Sequence, residues 1–433
     1  MSRGRFEGSQ SPTCLAAPPP EVRKGFVFPA SGFSSIPRLP LRPKAQPQFQ
    51  ESAKRKAIGF PHIGRQSRRY ARRVAVASGS TDETSSKLTR VNQPISATEY
   101  AAVRDGGAGL IDLSVRGRLL VSGSEALMFL NGLITNDMKT LALHSWMPAV
   151  FPNVQGRLIA AVRIIHRDDG FLIDTEHATL EPVAKLLGRF TLAGDFQVKD
   201  LSSETAMLSV QGRKTAEVVR QALDQTTASV PRGGVATAQF EKGKVTIIRA
   251  THSGEDGFDL FVDANSVADL RRSLIAAGAS PCSQKVAEIL RIEAGIPRFG
   301  IDMDDTKVVT ETNLDDAVSF TKGCYIGQEI IARIKYRGHV AKKLSGVLLE
   351  QTVALESGAK ILSTDDKEIG AVTSSAVSPQ LRQTIALAYV KYDYLEPGTK
   401  VKIISADQEL PAKVTELPFV RGSWYENPAP SGA

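Results

Sequence analysis

From residue 95 to residue 338, short strand-like and helix-like runs follow one another without settling into the long strand–helix alternation of a parallel sheet. That pattern points to α+β domains. After residue 338 the helical periodicity stops. Runs at 344–349, 360–362, 370–374, 385–390 and 400–403 are strand-like and separated by glycine and proline turns, which predicts a small closed or sandwiched β domain. In the first part, strands are expected at 108–114 and 116–123, joined by a turn. Ala126, Phe129, Leu130 and Leu133 recur at helical spacing behind Ser124, a suitable N-cap. Leu158, Ala160, Val162 and Ile164 alternate into a turn at Asp168-Asp169-Gly170 and a second strand. Another strand is expected at 206–210 and a hairpin-like pair at 245–249 and 257–262. Helices are expected at 178–188, 267–277 and 283–295. The last places Val286, Ile289 and Leu290 on one face, with Glu293 at its edge.

The chain has 433 residues and a formal net charge of +8, but the charge is unevenly spread. Residues 1–90 hold 17 Lys/Arg and 5 Asp/Glu, a balance of +12, leaving 37 and 41, or −4, for the rest. The basic character belongs to the N-terminal segment, so the folded body is not expected to bind nucleic acid directly. That segment, rich in Pro, Ser and Arg, reads as a disordered extension covering 1–94. It is an organelle transit peptide, a nucleic-acid or membrane tether, or upstream sequence read from a misplaced start codon. Its prolines and acidic residues favour a dispensable extension over a transit peptide. No apolar run is long enough for a membrane span. The three cysteines, Cys14, Cys282 and Cys324, form no CxxC pair and no metal-ligand spacing. A reducing compartment and no resident metal site are expected.

Lys322-Gly323-Cys324-Tyr325-Ile326-Gly327-Gln328-Glu329 is the most chemically loaded stretch. Its glycines allow close approach or positive φ. Lys322 favours thiolate if it faces the sulfur. Tyr325 can cover a site, Gln328 can hydrogen-bond a ligand, and Glu329 can hold Lys322 or Arg333. The basic run Arg333, Lys335, Arg337, Lys342 and Lys343 suits a polyanionic ligand tail, an acidic partner or plain solvent. Thr135-Asn136-Asp137 lines a site or makes a turn. No G-x-S-x-G, H-E-x-x-H or phosphate-loop motif is present.

Gly109-Leu110-Ile111-Asp112-Leu113-Ser114, Asn131-Gly132-Leu133-Ile134-Thr135-Asn136-Asp137, Gly254-Glu255-Asp256-Gly257-Phe258, Arg291-Ile292-Glu293-Ala294-Gly295 and the octapeptide at 322–329 together carry a resemblance. Over roughly 97–420 the chain resembles the superfamily that unites the aminomethyltransferase (T protein) of the glycine cleavage system with folate-binding proteins that support iron–sulfur enzymes. The octapeptide is similar to the KGCYxGQE signature of the iron–sulfur branch. The resemblance implies two α/β domains around a central folate cavity and a C-terminal small β-barrel. It implies tetrahydrofolate, or a one-carbon derivative, as cofactor. It also places Glu255 and Arg291 at the folate, with His252 where T proteins carry a tyrosine, and adds Asn136 and Gln328 as candidate contacts. Cys324 is the functional thiol. A carboxylate accepts paired donors from a pteridine edge, and Arg291 can fix a tail carboxylate or orient Glu293.

One departure bears on activity. The catalytic aspartate of T proteins falls here at Ile159 or Ala160, and neither side chain performs acid–base work. The expectation is a tetrahydrofolate-binding accessory protein for assembly or repair of four-iron–four-sulfur enzymes, leaning away from enzymatic turnover. Its implied partners are iron–sulfur client enzymes or assembly factors, tRNA-modifying radical enzymes among them, with no membrane. The alternatives are a folate-dependent aminomethyltransferase or demethylase, and a non-catalytic scaffold. A cytoplasmic location is expected, with the mitochondrial matrix second. The expected divisions are 1–94, 95–205, 206–338, 339–423 and a tail at 424–433.

Overall fold

The computed structural model describes residues 96–426 except 193, 224–229 and 407. The expected extension, and most of the expected tail, lie outside the described residues. The helices are α1 (Ala97–Arg104), α2 (Ala126–Leu133), α3 (His177–Gly188), α4 (Thr215–Leu223), α5 (Val267–Ala276), α6 (Gln284–Glu293) and α7 (Gln328–Arg337). The strands that precede the barrel are β1 (Gly109–Asp112), β2 (Gly117–Ser122), β3 (Trp146–Pro152), β4 (Leu158–Arg167), β5 (Gly170–Thr175), β6 (Gln197–Asp200), β7 (Thr205–Gln211), β8 (Val235–Phe240), β9 (Gly243–Arg249), β10 (Gly257–Asp263) and β11 (Ser280–Pro281).

A five-stranded antiparallel sheet runs β3-β4-β5-β2-β6. The alternation along β4 sends Ala160, Val162 and Ile164 into a core with Leu130 and Leu133 of α2 and Val183 and Leu187 of α3. A six-stranded sheet runs β11-β1-β7-β10-β9-β8. Its outer face buries Leu208, Val210 and Leu260 against Val218 and Val219 of α4 and Leu270 and Leu274 of α5. Between the two sheets, Ile165 and Leu172 of the first meet Met207, Ile248 and Phe261 of the second. Both faces of each sheet are therefore covered, and polar groups on the inner faces are buried with them.

Two local expectations change. Strands β1 and β2 are consecutive, yet β1 pairs with β7 and β11 in the second sheet while β2 pairs with β5 and β6 in the first. Strand β1 therefore belongs to the second sheet and β2 to the first. On β1, a Cβ on Gly109 would strike Val103 of α1, so glycine lets that helix lie against the strand. Ser124 does not cap α2 through its side chain. Its N–H and hydroxyl both donate to Asp195 Oδ2 at 2.8 Å, and α2 starts from Glu125 without a side-chain cap.

The C-terminal unit is a closed six-stranded barrel ordered β12-β15-β14-β13-β16-β17, from β12 (Lys342–Leu349), β13 (Lys360–Ser363), β14 (Glu368–Ser378), β15 (Gln383–Lys391), β16 (Lys400–Ser405) and β17 (Gln408–Thr415). The last strand is absent from the sequence expectation because Pro411 interrupts its run. Leu410, Ala412 and Val414 still alternate inward and close the barrel. Ile292 of α6 packs against Leu344, Leu387 and the segment carrying Leu417 and Phe419, which joins the barrel to the rest. No helix among the described residues is long and apolar enough to cross a membrane.

Candidate functional site

Cys324 is exposed, on a loop braced at both ends. On its C-terminal side, Gly327 has φ of 79°, and a Cβ there would strike the Asn153 carbonyl. Glycine is required on both counts. On its N-terminal side, Lys322 is buried, and its ammonium donates to the carbonyls of Asn131 (2.7 Å), Ile134 (3.0 Å) and Asn136 (2.6 Å). These lie at and just past the end of α2, where carbonyls lack helical partners and a cation suits the helix dipole. Burial lowers the Lys322 pKa to about 8, partly offset by Asp137. All three N–H donors are used, so none is left for the Cys324 sulfur, and the expected thiolate-favouring pair is replaced by a structural one. Tyr325 is buried beneath that ammonium, 5.1 Å from its ring centroid.

Asn136 belongs to the same frame. Its Nδ2 donates to the carbonyls of Pro148 and Asp316, and its Oδ1 accepts from the Asp137 N–H. Gln328 is half-buried at the first position of α7, and Glu329 is exposed. Among the described residues, no hydrogen bond or ion pair joins this loop to Glu255, His252 or Arg291.

Glu255 sits between β9 and β10, 3% exposed. Its Oε1 accepts from Arg104 Nη1 at 3.0 Å, and its Oε2 accepts from the Ser423 N–H at 2.8 Å and hydroxyl at 2.6 Å. Arg104 also donates to Glu293, which Tyr100 and Ser378 hold as well. Glu293 is therefore fully buried and satisfied by polar partners. Arg291 turns the other way: it donates to both Glu288 oxygens, to Asp302 Oδ2 at 2.6 Å and to the Ile296 carbonyl at 2.7 Å. Its guanidinium is consumed by internal partners and does not orient Glu293.

His252 leads into the inner face of the sheets. Its Nε2 donates to Asp259 at 2.9 Å. Asp259, fully buried on β10, also accepts from Arg163 of β4, and Arg163 continues to Asp174 and thence to Arg116. Burial pushes the Asp259 carboxyl up, but His252 and Arg163 pull it down further, holding it well below the usual carboxylate range. Asp174 is lowered in the same sense, with Arg116 and Arg163 outweighing burial. The unfolded carboxyl has a pKa near ~4, so the Asp259 contribution is full above that pH and is lost as pH falls toward the folded value. The Asp259→Asn protein is expected to be about 3 kcal/mol less stable at pH 7. Thermal melts from pH 7 down to ~3 should show that gap narrowing below ~4, and a constant gap would contradict the pairing.

Arg104, Arg163, Asp174, Asp259 and Ser423 escaped the sequence reading because each is isolated in the chain. The available signal was the alternation Phe258, Leu260, Val262, which puts Asp259 on the opposite face of β10; that this face is also buried is a tertiary fact. A cavity of about 490 Å³ opens beside Leu172, Leu201, Thr246 and Phe261, near Asp168 and Asp169. None of the expected site residues lines it.

The GCVT N-terminal domain model matches residues 66–322, and the glycine cleavage T-protein C-terminal barrel domain model matches 342–421. Cys324 and Gln328 fall between the two. The aminomethyltransferase of Geobacillus kaustophilus (strain HTA426) is 31% identical over 331 residues, covering 75% of this chain and 90% of the relative. That of Nostoc sp. (strain PCC 7120 / SAG 25.82 / UTEX 2576) is 29% identical over 333 residues, covering 75% and 88%. The crystal structure of glycine cleavage system aminomethyltransferase T from Bartonella henselae superposes with a TM-score of 0.69 at 21% identity, covering 75% of this chain and 89% of that one. With two α/β sheets, a closed C-terminal barrel and these matches across its described length, the chain belongs to the glycine cleavage T-protein family.

Proposed function

We propose that the protein binds a reduced folate, tetrahydrofolate or a one-carbon derivative, and acts as an accessory in assembly or repair of iron–sulfur enzymes with Cys324 as its functional thiol. The observation that carries this reading is the placement of Cys324, an exposed sulfur on a loop fixed by the Lys322 carbonyl cage and by Gly327 against Asn153. A cysteine kept only for packing would be buried, as Cys282 is. Family membership supports the folate. Glu255 has the acceptor chemistry for a pteridine edge, and His252 retains a partly exposed ring. In the described conformation both Glu255 oxygens accept hydrogen bonds, and Arg291 is paired with Glu288 and Asp302.

The relatives' names favour a second reading, folate-dependent aminomethyl transfer, more than this one. Against it stands β4 itself, which carries no carboxylate at Ile159, Ala160 or anywhere else along its length. The buried carboxylates nearby, Asp174 and Asp259, are each neutralised by arginine. The two readings separate on incubating the protein with tetrahydrofolate and an S-aminomethylated thiol, from which transfer gives methylene-tetrahydrofolate, ammonia and free thiol with no change of oxidation state. Binding without formation of methylene- or methyl-tetrahydrofolate is expected, and turnover would replace the accessory reading with the transferase one.

A further inference from the structure

The Glu255 carboxylate already has an occupant, and it comes from the chain's own C-terminal segment. We propose that residues 421–426 form a strap that substitutes for ligand at Glu255, so that a reduced folate engages this carboxylate only as Ser423 leaves it. The proposal rests on the folate reading above and adds how access to that site is controlled.

The contacts run from one end of the strap to the other. Upstream, the Val420 N–H donates to the Glu293 carbonyl at 3.0 Å, which fixes where the segment departs from α6. Ser423 then presents an N–H and an O–H to one oxygen of Glu255, and its hydroxyl oxygen accepts from the Asp256 N–H at 2.9 Å. An N–H and a second donor side by side are what a pteridine edge offers a carboxylate, so the strap imitates the ligand's donor pattern. Close approach is built in: a Cβ on Gly422 would strike Glu255 Oε1 and lie 2.6 Å from the Gly254 carbonyl. Past Ser423, the Trp424 N–H donates to the Gly254 carbonyl at 3.2 Å, and the Arg232 guanidinium lies over the indole, 4.0 Å from its centroid, while donating to the Trp424 carbonyl. Glu426 closes the far end through an exposed pair with Arg213. This latch lies where water competes and is weak, whereas the hydrogen bonds to the buried carboxylate are charge-assisted. The strap thus holds the carboxylate satisfied in the absence of ligand and can be released from its exposed end. Without the strap Glu255 would keep Arg104 at Oε1 but lose both donors at Oε2, a buried acceptor that then needs a replacement.

Two readouts on the full-length protein test this without any activity assay. One is tetrahydrofolate affinity by calorimetry for wild type, Ser423→Ala and Gly422→Ala, each first checked for a native melt. The other is hydrogen–deuterium exchange of the C-terminal peptide with and without saturating tetrahydrofolate. The strap predicts about tenfold tighter binding by Gly422→Ala, which displaces the segment, and a smaller gain by Ser423→Ala, which removes the hydroxyl bond and keeps the backbone N–H. It also predicts faster exchange at Ser423 and Trp424 once ligand is bound. Binding by Gly422→Ala alone, with none by wild type, supports the strap as well. Should Gly422→Ala not fold, the serine variant and the exchange measurement decide. Equal or weaker binding by the variants, with the C-terminal amides as protected as before, overturns the strap and leaves the folate reading standing. No uptake by any folded form overturns both.

Discussion

The Glu293→Ala protein is expected to lose about 3–5 kcal/mol of stability, the range for removing one partner of a buried ion pair. Glu293 is 0% exposed. It accepts from Tyr100 at 2.8 Å and Arg104 at 2.8 Å, and from Ser378 at the end of β14, so one carboxylate ties α1, α6 and the barrel together. Its removal leaves the 3%-exposed Arg104 side chain with Glu255 as its remaining acid, strands the Tyr100 hydroxyl and takes away the acceptor of the Ser378 hydroxyl. Urea unfolding followed by circular dichroism measures the loss. The Tyr100→Phe protein, which removes one donor and leaves the ion pair, should lose only about 1 kcal/mol. Near-equal effects of the two changes would show that the carboxylate is not the junction described.

The Cys324→Ser protein is expected to reduce iron–sulfur-dependent activity, in cells lacking the gene, to the level of the deletion. Its melting temperature and tetrahydrofolate affinity should match wild type. The reasoning is one of location: the thiol is exposed, while the loop's shape comes from Lys322 and Gly327. A serine of nearly the same size keeps that shape and removes the soft nucleophile. Restoration of activity by the serine variant would contradict a role for the sulfur and favour a scaffold. A loss of activity accompanied by a lowered melt would instead assign the residue to packing.

Periodicity made the architecture legible where one side of an element is buried and the other is not. Helices α2, α3, α5 and α6 and most barrel strands follow directly from apolar spacing. It could not reveal that β1 and β2 part company, because the partners of β1 are β7 and β11, far along the chain, and no local pattern encodes that pairing. The opening helix α1, the helix α4 and the helix α7, which begins inside the octapeptide at Gln328, were also unmarked. The octapeptide identified the Cys324 loop but left open whether Lys322 faces the sulfur; carbonyls at and beyond the end of α2, more than 180 residues earlier, claim the ammonium. Glu255 and His252 were found as candidates, and their neighbours were not. Ser423 lies 168 residues from the carboxylate it holds, and Arg163 lies 96 from Asp259. Distances of that kind are set by topology, so a sequence names the carboxylate and leaves its partner to the fold.

The central claim is that a reduced folate binds at Glu255. Isothermal titration of the full-length protein with tetrahydrofolate, beside its Glu255→Gln variant, tests it most directly. The account predicts one saturable site per chain, in wild type or in the strap-weakened Gly422→Ala protein, and at least about tenfold weaker binding when the same background carries glutamine, which lacks the charge that accepts paired donors. Undiminished binding by the glutamine variant, or no uptake by folded wild-type and Gly422→Ala proteins, would contradict it.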